Sequence, residues 1–160
     1  MYYPIHLDLT DINITIIGGG KIAFRKCQFF LEKKKPVTLV AKDFIPEFKG
    51  VQKKGLNLIQ DEYCQSYIEG SFLVIAATDD VMLNEEIGRY CKSKGKLVNV
   101  ASDASLSNFI IPSIISRGDL LLSVSTSGKN PSLTKEIKQQ LQQRYGDNYS
   151  EVIKNLPRIK

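Results

Sequence analysis

The residues whose spacing offers chemistry first are three consecutive glycines, Gly18-Gly19-Gly20, followed by Lys21, Ile22 and Ala23. A glycine at the first position allows a tight turn. One at the third leaves nothing to block a phosphate, and the small Ala23 lets a following helix pack close to a sheet. The first N–H groups of that helix have no intrahelical partner and carry the positive end of its dipole, so they suit an anion. The pattern Gly18-x-Gly20-x-x-Ala23 therefore reads as a cradle for a pyrophosphate. An ordinary glycine turn is the competing reading, and context decides between them.

That context is a strand before the glycines and a helix after them. Residues 13–17 are largely β-branched and apolar and read as a buried strand. Residues 21–31 have helical spacing, with Ile22, Cys27, Phe30 and Leu31 expected on one face. Pro36 closes that helix, and residues 37–40 form a second strand. Lys33-Lys34-Lys35 reads as a solvated helix end with favourable charge. The strand–helix–strand unit raises the glycine pattern to a dinucleotide fingerprint, with Gly18, Gly19, Gly20, Lys21 and Ile22 lining the phosphates. A carboxylate about 20 residues on usually holds the adenosine ribose. Here the second strand runs out through Ala41, Lys42 and Asp43, with Asp43 slightly late. Ala41 and Asp43 are the candidates at that end of the cofactor, with Asp43 as a plain surface acid the alternative. Lys42 instead would favour a 2′-phosphate, so NAD and NADP both stay open.

The alternation continues. Residues 56–59 and 72–77 read as strands, the first reached through a helical stretch. Residues 84–93 are helical in spacing, Gly95 stops them, and residues 96–100 form another strand. This predicts a parallel sheet with helices on both faces. After residue 108 the pattern changes. Residues 109–115 and 120–125 flank Arg117-Gly118-Asp119 and read as a hairpin, the triplet being its turn. Pro131 opens a polar helix to about Tyr145, with Leu133, Ile137 and Leu141 as a narrow apolar stripe. Gly146 ends it, and residues 147–160 have a weaker helical pattern.

The bulk properties exclude several classes. The chain has 160 residues, 42% hydrophobic and 24% charged, which suits a folded domain with a core. No apolar run approaches the roughly 20 residues a membrane-spanning helix needs, and the N-terminus lacks the pattern of a signal peptide, so a cytoplasmic protein is expected. The three cysteines, Cys27, Cys64 and Cys91, are too widely spaced for a zinc site and are expected to be reduced and packed. His6 is the one histidine and is expected to be structural; no permanent metal cofactor is expected. The net charge of +5 favours an anionic partner. Nucleic acid is a weak candidate, because Lys53, Lys54, Lys92, Lys94 and Lys96 are dispersed and no recognition motif accompanies them.

Taken together, several blocks resemble the precorrin-2 dehydrogenase module of siroheme synthases. They are Tyr3-Pro4-Ile5; residues 17–23 with Arg25-Lys26; residues 74–80 with Asn84; Val98-Asn99-Val100; residues 109–113; and residues 125–128 with Pro131. They keep the family's order and spacing over about residues 3–145. The resemblance implies a Rossmann-like NAD(P)-binding domain over 1–112 and a small α+β dimerisation region, hairpin and helix, over 113–146. Residues 147–160 would then start a reduced helical domain. It implies NAD as cofactor, an anionic tetrapyrrole substrate, a homodimer, and NAD-dependent oxidation of precorrin-2 to sirohydrochlorin in siroheme (porphyrin-type) biosynthesis. No nucleic-acid or membrane partner is implied. Ligands of open parallel sheets sit beyond the carboxyl ends of strands, which puts Thr78 and Asn99 near the nicotinamide half; Asn99 satisfying local backbone is the competing view.

Ser125, Thr126, Ser127 and Gly128 precede a helix and suit substrate carboxylates, with helix capping the alternative. Some family members also insert ferrous iron. The family's aspartate falls at Ser102 here, with the acid one residue later at Asp103. Ser102 and Asp103 are therefore the candidate catalytic pair, and the departure favours dehydrogenation without chelation. Asp103 as a loop or capping acid is the alternative. A rival reading is a regulatory module that senses NAD(H) without turnover; it gives no reason for the blocks at 109–113 and 125–128.

Overall fold

The computed structural model describes residues 2–51 and 55–156. Lys53, Lys54 and the last four residues of the expected helical domain, 157–160, lie outside the described residues.

Five short strands make one sheet: β1 (Ile14–Ile17), β2 (Val37–Ala41), β3 (Leu56–Gln60), β4 (Leu73–Ala76) and β5 (Leu97–Val100). Their order is β3-β2-β1-β4-β5 and every pairing is parallel. Parallel neighbours need crossovers. Helix α1 (Lys21–Glu32) joins β1 to β2, the short α2 (Ser66–Glu69) precedes β4, and α3 (Val81–Ser93) joins β4 to β5. β2 and β5 flank the central β1–β4 pair on opposite sides. Right-handed crossovers then require α1 and α3 to cover opposite faces. This is why β1 and β4 are buried at every residue and read as near-continuous apolar runs, the one polar residue, Thr15, sharing a hydrogen bond of 2.6 Å with the Ser71 hydroxyl. On one face Ile17, Val40, Val74, Ala76, Val98 and Val100 pack with Ile68, Ile87 and Cys91 from α2 and α3.

Contacts group Tyr3–Phe109 into one compact unit, and the chain from Ile110 on into another. The second unit holds an antiparallel hairpin of β6 (Ser113–Arg117) and β7 (Leu120–Val124), turning through Gly118 at φ +60°. Helix α4 (Pro131–Arg144) lies against that hairpin, and α5 (Tyr149–Asn155) follows.

Several local expectations need correction. Ile22 is 46% exposed, and Ala23 takes its place in the buried face of α1 with Cys27, Phe30 and Leu31. Strand β6 starts at Ser113 and not at Phe109, because Pro112 has no N–H to give a ladder. Among its described residues the stretch before β3 holds a 3-10 turn, Pro46–Gly50, and no α-helix. Helix α3 begins at Val81, three residues before Asn84, because the Asp80 carboxylate caps it by accepting the Leu83 N–H at 3.1 Å. Cys64 is exposed in the loop before α2, whereas Cys27 and Cys91 are buried. The His6 side chain is exposed. Among the described residues no group of three or more His, Cys, Asp or Glu side chains is placed to hold a metal ion, and no helix is long and apolar enough to cross a membrane.

Candidate active site

Because the five strands are parallel, all their carboxyl ends meet at one edge of the sheet. The segments after β1 (Gly18–Gly20), β2 (Lys42, Asp43), β3 (Asp61, Glu62), β4 (Thr78–Asp80) and β5 (Ala101–Asp103) line that edge. The order reverses between β1 and β4, which is where open α/β sheets bind ligands.

The three glycines are not equivalent there. Gly18 leaves β1 at φ +129°, and a Cβ on it would lie 2.3 Å from the Ala77 carbonyl oxygen. The ends of β1 and β4 are therefore pressed together, joined by the Ala77 N–H to the Ile17 carbonyl at 2.8 Å. A Cβ on Gly19 would lie 1.9 Å from the Asp43 carbonyl oxygen and 3.0 Å from Cβ of Ala41. The Gly19 carbonyl also accepts the Ile45 N–H at 3.0 Å, so residues 41–45 wrap over the loop. Around Gly20 a Cβ would meet nothing within 4 Å. The fold thus demands the first two glycines, and protein packing does not demand the third.

Gly20 is also the N-cap of α1, which carries no side-chain cap and no acid in its first turn. The other two long helices are capped: α3 by Asp80, and α4 by Asn130, whose side chain accepts the Leu133 N–H at 2.9 Å. An uncapped, acid-free helix start facing open space at a glycine fits a pyrophosphate, with N–H groups of the first turn as donors. Lys21 and Ile22, the first two residues of that turn, are both exposed.

The segment after β4 is held by a residue the sequence reading left without a task. Asn84 is completely buried, and its carboxamide oxygen accepts the Thr78 N–H (3.1 Å) and hydroxyl (2.8 Å). Its amide nitrogen donates to the Thr78 carbonyl at 3.0 Å and lies 3.4 Å from the Ser102 hydroxyl. One side chain on α3 therefore sets the ends of both β4 and β5. The signal was its position, one helical turn past the capping aspartate. Asn99, on β5, is 8% exposed and donates its amide to the Phe109 carbonyl at 3.2 Å. Asp103 accepts the Ser105 N–H at 2.7 Å and caps a 3-10 turn, Ala104–Leu106. Those bonds with Ser105 hold its carboxyl below the ordinary value of 3.8.

After β2 and β3 the charges pair. Lys42 Nζ lies 2.9 Å from Glu62 Oε1, an ion pair that keeps the ammonium protonated to higher pH than usual. Asp61 accepts the Tyr67 hydroxyl and the Glu62 N–H, which lowers its carboxyl. In the second unit Ser125–Gly128 follows β7. Ser127 (φ +56°) and Gly128 (φ +79°) are both left-handed, and Ser125 Oγ accepts the Ser127 N–H at 2.9 Å. The Thr126 hydroxyl is tied to Thr134 Oγ1 (2.9 Å) and accepts the Asn130 N–H (3.0 Å). Of the candidate residues, the glycine loop with Lys21 and Ile22, Ala41, Asp43, Thr78, Ser102 and Asp103 lie at or next to this edge; Asn99 sits one residue inside β5, paired with Ile75, and Ser125–Gly128 belong to the second unit.

Fold and glycine loop together define a Rossmann-type NAD(P)-binding protein. Residues 5–113 match the family model described as "Putative NAD(P)-binding". The siroheme synthase of Psychromonas ingrahamii is 36% identical over 142 residues, covering 88% of this chain and 30% of that protein. That of Chromobacterium violaceum is 30% identical over 164 residues, covering 96% of this chain and 35% of that protein. The chain therefore spans about a third of the length of these relatives. The solved structure of SirC, precorrin-2 dehydrogenase, superposes with a TM-score of 0.74 at 32% identity, covering 96% of this chain and 76% of that one. The chain belongs to this NAD(P)-binding family, together with the precorrin-2 dehydrogenase SirC.

Proposed function

We propose that this chain oxidises precorrin-2 to sirohydrochlorin with NAD⁺ as hydride acceptor. The observation that carries the reading is the open, uncapped start of α1 at Gly20, in a chain that aligns over 96% of its length with a precorrin-2 dehydrogenase. Two electrons and one proton leave the substrate as hydride, and a second proton is released to a base or to water.

In this reading Gly18, Gly19, Gly20, Lys21 and Ile22 hold the pyrophosphate, and Ala41 and Asp43 border the adenosine ribose. Thr78 and Asn99 flank the nicotinamide end. Asp103, with Ser102 beside it, takes the released proton. Its carboxylate is ionised at neutral pH, and a low pKa makes it a modest base, enough where water carries the proton onward. Ser125, Thr126, Ser127 and Gly128 receive carboxylates of the anionic substrate, and the net charge of +5 supports its attraction. The hairpin and α4 over 113–146 serve a homodimer, and the protein works in the cytoplasm. The displaced aspartate at Ser102 favours dehydrogenation alone.

The test is anaerobic incubation with enzymatically made precorrin-2 and NAD⁺, read by absorbance. NADH and a sirohydrochlorin spectrum are expected, with the rate lowered by roughly tenfold or more in Asp103→Ala, as for loss of an assisting base. Tight NADH binding with no turnover, beside an active control enzyme, overturns the dehydrogenase.

A further inference from the structure

We propose that Glu62 is a specificity-determining residue: by pairing with Lys42 it closes the adenosine end of the site to a 2′-phosphate and so selects NAD over NADP. This rests on the reading of the glycine loop as a dinucleotide site.

Lys42 follows β2 directly, between two residues that back onto that loop. Ala41 Cβ lies 3.0 Å from where Gly19 would carry a Cβ, and the Asp43 carbonyl is closer still. The end of β2 is where folds of this type read the adenosine ribose, and a cation there accommodates a 2′-phosphate. On sequence alone Lys42 is that cation.

The structure gives the ammonium another partner. Ala41 pairs with Gln60 in the parallel ladder, so the chain beyond β3 runs beside the chain beyond β2. That register brings Glu62 to 2.9 Å from Lys42 Nζ. The two side chains are 70% and 76% exposed, where an ion pair adds little stability. The effect of the pair is on local charge. Lys42 also feels the charges of Asp80 and Asp79. Asp43 and Asp61 lie on the same two segments, so the residues directly after β2 and β3 carry three carboxylates and one ammonium already engaged. A phosphate carrying about two negative charges is repelled there. A ribose hydroxyl is not, and finds acceptors.

The test uses the whole chain and titrates NADH and NADPH by intrinsic or nicotinamide fluorescence, at low and high salt. The wild type is expected to bind NADH at least about tenfold tighter than NADPH. Glu62→Gln should raise NADPH affinity about tenfold at low salt and change NADH affinity by less than about threefold, the gain shrinking as salt rises. Adding Lys42→Ala to Glu62→Gln should remove the gain. Melting temperatures should agree within about 2 °C across the series. The proposal is overturned if NADH binds but Glu62→Gln leaves NADPH affinity unchanged, or if the gain survives loss of Lys42. A wild type that binds neither dinucleotide overturns the site itself, and this assignment with it.

Discussion

Two helices start side by side at the same edge of the sheet, and they start in opposite ways. Helix α1 leaves β1 through three glycines, with no side chain over its first N–H groups. Helix α3 leaves the neighbouring β4 through Thr78, Asp79 and Asp80, with Asp80 capping it and Asn84 filling the turn. Both face the same backbone problem, since the first N–H groups of any helix lack partners. One solves it with its own side chains and becomes rigid. The other leaves its donors to solvent or to a ligand. In the proposed function binding falls to the first start, and the second supplies the wall against which Gly18 is pressed.

The glycines offer the largest test of that contrast. Gly18→Ala forces a Cβ to 2.3 Å from the Ala77 carbonyl at φ +129°, so a stability loss of about 2–4 kcal/mol is expected in urea unfolding. Gly20→Ala meets no protein atom within 4 Å and should cost less than about 1 kcal/mol, the ordinary N-cap difference. If Gly20 borders the pyrophosphate as proposed, it should nevertheless weaken dinucleotide binding by about tenfold or more, because the methyl would stand where the phosphate approaches. A Gly20→Ala variant as unstable as Gly18→Ala would show that packing, and not a ligand, requires the third glycine.

The wall can be removed with Asn84→Ala. It strips partners from the Thr78 N–H and carbonyl and leaves a cavity, for an expected loss of about 2–3 kcal/mol. Substrate turnover should fall with it, since Thr78 and Ser102 both lose their anchor. An Asn84→Ala protein with wild-type stability would mean the second start holds itself without this network.

The smallest expected effect is at Asp103. Its carboxyl titrates below 3.8 in the folded chain, so the unfolded chain binds protons more readily. Its contribution is present above that value and is lost as pH falls through the folded value. The melting-temperature gap between wild type and Asp103→Asn should be constant near neutral pH and shrink once pH drops below about 4. A gap independent of pH down to acid would remove the capping role.

Much of this protein was legible without coordinates. The largely apolar runs at 13–17 and 72–77, the helical spacing between strands and the punctuation by Gly95 and Pro36 are local signals, and each marks an element present in the structure, with the two strands one residue shorter at an end or both. The glycine pattern was readable because its chemistry needs particular residue types within a few positions. Boundaries read less well where a cap outweighed periodicity, as at Asp80, or where a proline cut a β-rich run, as at Pro112. Ile22 was misplaced because apolar character says nothing about helix rotation, which close packing of Ala23 decides.

What the sequence by itself determined is the class: strands, helices and a glycine-rich loop arise from side-chain pattern over short windows. What only the tertiary structure decided is which residues meet across long separations. Asn84 reaches Thr78 and Ser102 because α3 crosses the ends of β4 and β5, and Glu62 reaches Lys42 because β2 and β3 pair in one register. The separation of Gly20 from its two neighbours is of the same kind. All three positions carry the same residue, and only the folded chain brings Ala77 and Asp43 against the first two and leaves the third open. Parallel pairing joins segments far apart in sequence, so no local pattern encodes these contacts.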